Sequence, residues 1–509
     1  MEGPLNLPER YLEEIKNLLG TEYEDWLSAM EEPAVTGLHT NDLKTDPKEF
    51  LRILARSGFR DMPERIPWIR SGFFTKDSSL FSKHPLYQAG VYYIQEPSAM
   101  TPAELLPVSE GDYVLDLCAA PGGKACQLLQ KLNGTGLMYA NDLSASRAQA
   151  LKKNLEMAGA VNAFVTAEDP ANLASHFQGY FDKILVDAPC SGEGMFRREP
   201  SMPSFWMKKG PEYYQPIQHE ILREAWRMLR PGGMMIFSTC TFSVLENEGN
   251  VERLLSEFPD LRLVEIPAQP GFARGVTVHT EECVRLYPHR LRAEGQFAAL
   301  FQKEGSAEPR PYREKRVYEK NGEIYLIPAD AGPVPGLRYL LTGLHVGTRR
   351  RERIAAAQGL AQALTKDMWP KSMDLACTDD RIYRYLRGET IFCEPSEITE
   401  NEGCPLLPSE LTEEKGTGSA AGDVQNGNLR RDPRGEERGR KKPRRGKGRP
   451  DLYGSRTSAG EPGGKRKPDG SCRMDLREIL ILADGFPVGF ADPGVNGMLK
   501  NRRNPGWRI

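Results

Sequence analysis

Runs of about 18 consecutive apolar residues, the length a helix needs to cross a membrane, are absent from this sequence. So is an apolar core behind a charged start in the first ten residues, which would mark a secretory leader. The nine cysteines are odd in number, scattered, and never spaced as CxxC, so neither a zinc site nor a disulfide framework is suggested and no bound metal is expected. An excess of one charge is lacking too: 68 Lys and Arg stand against 70 Asp and Glu, a net charge of -2. Whole-chain attraction to a polyanion is thereby excluded, and any basic surface has to be local. These absences leave a soluble, cytoplasmic chain with free thiols, expected as a monomer. Each thiol is either a small buried apolar group or a reactive one.

At 509 residues, 39% hydrophobic and 27% charged, the chain is too long for one ordinary domain. Four regions differ in texture. The first, residues 1–107, opens with an amphipathic helix over 7–20, its apolar residues at helical spacing and a glycine at its end. The second, 108–303, alternates short apolar runs with helical patterns, which predicts a mostly parallel, doubly wound α/β sheet. Its expected strands include Tyr113–Cys118, Leu137–Asp142, Ala163–Thr166, Phe181–Asp187 and Met234–Cys240, with a helix over Glu220–Leu229 and a turn at Arg230-Pro-Gly-Gly233. The third, 304–375, is mixed. The fourth, 376–509, is interrupted over 408–471 by Gly, Pro, Ser, Glu and Arg with almost no large apolar side chains. Such a stretch cannot offset its ordering entropy, and disorder is expected. Inside it the basic tract Arg438–Arg449 is either a solvated linker or an arm attracted to phosphates.

Ligands of such sheets bind beyond the carboxyl ends of the strands. There lies the loop Cys118, Ala119, Ala120, Pro121, Gly122, Gly123 and Lys124. Its glycines allow close backbone approach, and the following helix offers free N–H groups. The phosphate-loop pattern GxxxxGK[ST] fails, since Lys124 precedes Ala125, and GxGxxG is absent. A nucleotide-like ligand without phosphates fits better. Asp142, about 20 residues after the glycine turn, suits ribose hydroxyls. Asp169 suits an adenine amino group, or simply a turn beside Pro170.

Two cysteines sit at strand tips of this same sheet: Cys190 in Asp187-Ala-Pro-Cys-Ser-Gly-Glu-Gly194, and Cys240 in Ser238-Thr-Cys-Thr-Phe242. Together with Cys118–Lys124, Tyr93-Ile-Gln-Glu-Pro-Ser98 and Arg285-Leu-Tyr-Pro-His-Arg290, these stretches resemble the Fmu/Sun (Nol–Nop–Sun) family of RNA cytosine-5 methyltransferases. The resemblance implies a Rossmann-like class I sheet that binds S-adenosylmethionine through residues 118–124, Asp142, Arg147, Asp169 and Asp187. It implies Cys240 as nucleophile and Cys190 as the group that assists release. In the tail, Tyr385–Thr390, Asp484–Gly489 and Gly497–Asn501 resemble the two halves of a PUA-like RNA-binding domain in the RsmF-like branch, which acts on small-subunit (16S) ribosomal RNA. The long polar insert separates those halves. A transfer RNA methyltransferase and a noncatalytic ribosome-assembly protein are the other readings; intact Asp187, Cys190 and Cys240 speak against the second.

The implied chemistry asks for these groups. Cytosine C5 is a poor nucleophile until a thiolate adds at C6. An acid near N3, Asp187, would share a proton with the ring, if burial raises it. Cys190, directed by Pro189, would serve as base for the C5 proton. Glu246-Asn-Glu248 reads as the capped start of a helix. Trp206, Tyr213 and Tyr214, interleaved with Arg197, Arg198, Lys208 and Lys209, suit either stacking on an extruded nucleotide or a self-packed surface loop.

Overall fold

The computed structural model describes residues 7–310, 314–351, 353–412 and 473–509. The expected disordered insert, 408–471, falls almost wholly outside these residues, as do the basic tract Arg438–Arg449 and Cys472. No described helix is long and apolar enough to cross a membrane.

A ten-stranded sheet forms the centre. Its principal strands, in chain order, are β1 (Tyr113–Asp116), β2 (Leu137–Asn141), β3 (Ala163–Thr166), β4 (Phe181–Asp187), β5 (Leu229–Thr239), β6 (Gln296–Lys303) and β7 (Tyr339–Thr342). They lie in the order β6-β5-β4-β1-β2-β3-β7. Strands β1 to β5 run parallel, and β6 and β7 flank them antiparallel. The parallel strands are runs of buried residues, as strands covered on both faces must be. The covering helices include α1 (Gly123–Leu132), α2 (Ala145–Met157), α3 (Pro170–His176), α5 (Pro211–Met228) and α6 (Glu248–Glu257), while α4 (Met202–Trp206) packs apart from the sheet with Tyr11 and Trp26. One face packs Tyr139, Phe164, Leu222 and Trp226; the other packs Val114, Leu128, Leu151 and Ile236. Strand order reverses between β1 and β4, which opens a crevice at their carboxyl ends.

Three features differ from the sequence expectation. Helix α5 begins at Pro211 rather than Glu220, because Pro211 fits a first helical turn and Pro216 sits close enough to the start to be tolerated. The run Arg230-Pro-Gly-Gly233 is no separate turn. It lies inside β5 as an irregularity, the register jumping from Phe181 opposite Leu229 to Lys183 opposite Met234, with Gly232 at φ +77°. The sheet also does not stop at residue 303: β7 pairs with β3 and covers an edge that would otherwise expose unpaired backbone groups.

The two halves of the tail meet in one sheet. Strand Lys371–Leu375 runs parallel to Ile479–Ala483, and Ile391 stands opposite Leu499. That sheet shares a core with the four-stranded N-terminal sheet, through Phe50, Phe73 and Tyr92 on one side and Tyr385, Ile481 and Val488 on the other. The buried Arg503 guanidinium donates to Gln88 Oε1 at 2.7 Å, Val488 O at 2.6 Å and Trp507 O at 2.7 Å, tying the chain's end to its beginning.

Close to the crevice, Arg285 and Glu248 form a fully buried ion pair. Arg285 Nε donates to Glu248 Oε1 at 2.7 Å and Nη1 to Phe242 O at 2.8 Å, pinning the start of α6 and the loop before it. Removing one partner leaves the other charge buried and alone. Arg285→Ala is therefore expected to lower unfolding free energy by about 3–5 kcal/mol. Arg285→Met with Glu248→Leu should recover part of that loss. Urea midpoints at constant m decide it; a single-variant loss below about 1 kcal/mol would contradict the assignment.

Candidate active site

The site starts from the register of two strands. Asp187 of β4 stands opposite Ser238 of β5 in the parallel pair. The chains leave the sheet at one level, so Cys190, three residues past Asp187, and Cys240, two past Ser238, emerge side by side. Their sulfurs are 3.3 Å apart, and both side chains are partly exposed.

Two buried carboxylates cross-brace the loops that carry them. Glu246, from the Cys240 loop, accepts from Ser191 N at 3.0 Å and Gln218 Nε2 at 2.7 Å, and from the Ser191 hydroxyl. Glu193, from the Cys190 loop, accepts in return from Phe242 N at 2.8 Å and from Trp206 Nε1 at 2.9 Å. Between them Ser191 Oγ meets Thr241 Oγ1 at 2.8 Å, and Gly194 N donates to Cys240 O at 2.8 Å. Gln218 also holds Pro189 O at 2.9 Å. Sequence reasoning read Glu246 as part of a helix cap and gave Glu193 and Gln218 no role. Their partners are 13 to 55 residues distant, a spacing without a local signature.

Asp187 is surrounded by donors. Its Oδ2 takes Lys124 Nζ at 2.7 Å; its Oδ1 takes Ser238 Oγ at 2.7 Å and Gln296 Nε2 at 3.2 Å. The Lys124 side chain, from the expected ligand loop, reaches this carboxylate, itself an expected member of the same site. Burial works to lower the Lys124 ammonium, but Asp187, Asp116 and Cys240 outweigh it and hold it above the ordinary lysine value. The Cys190 thiol is pushed well above its ordinary value, first by its contact with Cys240 and then by burial.

Across the crevice, the loop 118–124 is fixed at several points. Ala119 N donates to Asn141 O at 2.7 Å, Arg147 Nη2 to Ala120 O at 2.7 Å, and Asn154 Nδ2 to Pro121 O at 2.8 Å. Gly122 adopts φ +120°, a conformation that L side chains rarely adopt. Gly123 is pressed against the Gln95 side chain, where a Cβ would come within 2.6 Å. Cys118 is no candidate nucleophile: burial, then Asp116, drives its thiol far up. Asp142 is buried, with Oδ1 accepting from Ser144 N at 2.9 Å and Oδ2 lying 3.4 Å from Arg147. Asp169 caps α3 by accepting from Ala171 N at 2.9 Å and remains exposed.

Among the described residues of the crevice, Gln95 Oε1 and a carboxylate are left without a partner. Asp116, at the end of β1, is fully buried, and neither carboxylate oxygen has a hydrogen-bond partner. Burial, then the neighbouring Asp187, holds its carboxyl well above the usual range. Buried polar groups are normally satisfied, so an orphaned carboxylate marks the place of a cationic or donor ligand. An α-ammonium meets that need. With the acceptors Asp142 and Asp169 nearby on the adjoining strand ends, the residues fit an amino-acid–nucleoside such as S-adenosylmethionine.

The expected aromatic cluster divides. Trp206 is buried on Tyr11, and Arg197 is buried in an ion pair with Glu294 at 2.8 Å. Neither belongs to a surface.

Family models match most of this architecture. Residues 103–302 match 16S rRNA methyltransferase RsmB/F, 7–97 the N-terminal domain of 16S rRNA methyltransferase RsmF, and 300–364 the RsmF first C-terminal domain. The chain belongs to the RsmB/F family. The RsmB/F match contains all the crevice residues described above from Asp116 to Gln296. Curated relatives of the same kind include ribosomal RNA small subunit methyltransferase F of Pectobacterium atrosepticum, 33% identical over 60% of this chain, and that of Vibrio vulnificus, 31% identical over 60%. The chain covers 65% of the length of each. Among solved structures, a methyltransferase homologue from Pyrococcus horikoshii is 29% identical with a TM-score of 0.52, covering 59% of this chain and 96% of that one. NSun6 from Pyrococcus horikoshii, at 22% identity and TM-score 0.51 over 59% of this chain and 99% of that one, shares the fold.

Burial lifts the Glu246 carboxyl from 4.5 to about 7. Between those values the native state keeps a proton that the unfolded state has lost. The stabilisation is thus complete below pH 4.5 and disappears as pH rises through about 7. Glu246→Gln should flatten that part of the curve of urea midpoint against pH. A variant curve parallel to wild type from acid to neutral pH would show that Glu246 titrates normally.

Proposed function

We propose that this chain methylates carbon 5 of a cytosine in small-subunit (16S) ribosomal RNA, with S-adenosylmethionine as methyl donor. The observation that carries the reading is the Cys190–Cys240 pair, two thiols in contact beside a carboxylate–ammonium pair. One thiol in such a crevice could serve many reactions. Two suit a reaction in which a carbon–sulfur bond is made and later broken.

When bound, S-adenosylmethionine supplies an electrophilic methyl group. The loop Cys118–Lys124 would cradle it, with Asp116 toward its ammonium, Asp142 toward the ribose and Asp169 toward the adenine; Arg147 braces the loop through Ala120. Cys240, as thiolate, adds to C6 of the cytosine, and the ring's electrons move toward C5 and N3. The Lys124 ammonium, already influenced by Cys240, supplies a positive field for that thiolate. Asp187, with Lys124 on one oxygen, faces the charge that develops at N3. Once C5 carries the methyl group, its proton leaves to Cys190, directly or through water. The electron pair of that C–H bond re-forms the C5–C6 double bond and expels the Cys240 thiolate. Cys190 is held protonated mainly by its contact with Cys240, so capture of the Cys240 sulfur in a C–S bond frees Cys190 to act as base.

The outer regions fit the same reading. Residues 1–107, 304–375 and a PUA-like unit within 376–509 are RNA-handling domains around the catalytic unit 108–303. The enzyme works as a cytoplasmic monomer on ribosomal RNA or the small subunit.

Cys240→Ala should abolish 5-methylcytosine, read by bisulfite sequencing of ribosomal RNA, while cofactor affinity changes less than about twofold, since the thiol touches the base and not the cofactor. Cys190→Ala should trap a protein–RNA adduct that survives a denaturing gel. Turnover without Cys240 would sink the nucleophile assignment. Absence of any adduct in Cys190→Ala with Cys240 intact would remove Cys190 from the release step.

A further inference from the structure

Between Cys190 and the middle of α5 the structure sorts the large side chains into two sets. Trp206 is anchored inward by Glu193 and by an edge-on contact with Tyr11, ring centroids 5.7 Å apart. Its neighbours Phe205, Met207 and Tyr213 are 59%, 62% and 44% exposed. Single exposed apolar residues need no explanation. Three within nine residues, on a segment anchored from below by a buried tryptophan, are an exposed apolar stretch.

That surface connects to the thiols. Lys209 Nζ lies 4.5 Å from the centre of the Tyr213 ring. Tyr213 meets Tyr214 edge-on, centroids 5.1 Å apart. Tyr214 stands one helical turn before Gln218, which donates to Pro189 O at 2.9 Å beside Cys190, so this end of α5 lies at the rim of the catalytic crevice. Lys208 and Lys209 are both exposed, and neither ammonium has a carboxylate partner among the described residues. The one acid within 205–213, Glu212, is already engaged by Arg10.

Aromatic and thioether faces beside two ammonium groups without carboxylate partners, one of them donating to the Tyr213 hydroxyl at 3.3 Å, match a ligand with flat π faces and a repeating negative charge. A second copy of this chain fits poorly, because a twofold contact through this face would bring Lys208 and Lys209 against their own counterparts. We propose that Phe205, Met207, Lys208, Lys209 and Tyr213 form a stacking platform for the single-stranded RNA next to the target cytosine, with Tyr214 as its inner end. The proposal rests on the RNA-methylating reading above and gives it a path for the strand. A platform at the crevice rim also favours an extruded base, since the neighbouring nucleotide keeps a stacking partner.

The test is fluorescence anisotropy of the full chain with a fluorescein-labelled single-stranded oligocytidylate across a salt series. Phe205→Ala and Tyr213→Ala should each weaken binding about tenfold, with melting temperature unchanged because both side chains are exposed. Lys208→Ala with Lys209→Ala should reduce the slope of log Kd against log salt by about 1.4. Wild-type affinity and slope in all these variants would overturn the platform. So would a change in sedimentation of the free protein without a change in RNA binding, which would mark a self-association face instead. If wild type forms no 5-methylcytosine on ribosomal RNA while the binding losses appear, the methylation reading fails and the platform stands.

Discussion

Parallel pairing of β4 with β5, Asp187 opposite Ser238, is the constraint on which the site depends. Neighbouring parallel strands end at the same level of a sheet, so whatever follows them is brought together without further design. Two loops about fifty residues apart in sequence thus place their sulfurs 3.3 Å apart. Proximity alone would leave the thiols free to separate. The reciprocal carboxylates, Glu246 reaching into the Cys190 loop and Glu193 into the Cys240 loop, remove that freedom. Each brace is a buried acceptor with two or more donors, and loss of either would strand a desolvated polar group.

The same burial that makes the braces strong sets the electrostatics of the crevice. Asp116, Glu193 and Glu246 are all lifted above the usual carboxylate range, and in each case burial is the leading cause. Lys124 is the opposite case, a buried ammonium kept charged by the acids around it. Lys124 is therefore a fixed cation beside the Asp187 carboxylate, among acids that burial biases toward their neutral form. That asymmetry suits a reaction in which a thiolate has to be stabilised at one point only.

The surrounding domains give the crevice its walls. Gln95 of the N-terminal sheet seats against Gly123, and Glu294 N, just before β6, donates to Glu96 at 2.9 Å. The N-terminal sheet in turn shares its core with the tail, and Arg503 joins them. The last residues of the chain are thus coupled to the first sheet by packing, and through Gln95 to the loop beside Asp116.

By itself the sequence determined the alternation of strands and helices, the glycine loop after β1, and the two cysteines at strand tips, because each depends on short-range periodicity and turn chemistry. Resemblance of the motifs around them pointed to the family to which the chain belongs. The sequence misplaced what rests on long-range packing. It began α5 nine residues late, set Arg230–Gly233 outside β5, ended the sheet before β7, and put Trp206 and Arg197 on a surface. The two halves of the tail, read from their motifs as parts of one domain despite the long insert, are joined strand to strand. Tertiary structure alone decided the Lys124–Asp187 pair, the crossed braces of Glu193 and Glu246, and the unpartnered state of Asp116. Each is a buried polar group satisfied, or left unsatisfied, by residues brought in from other strands, and no local pattern records which partner a fold will deliver.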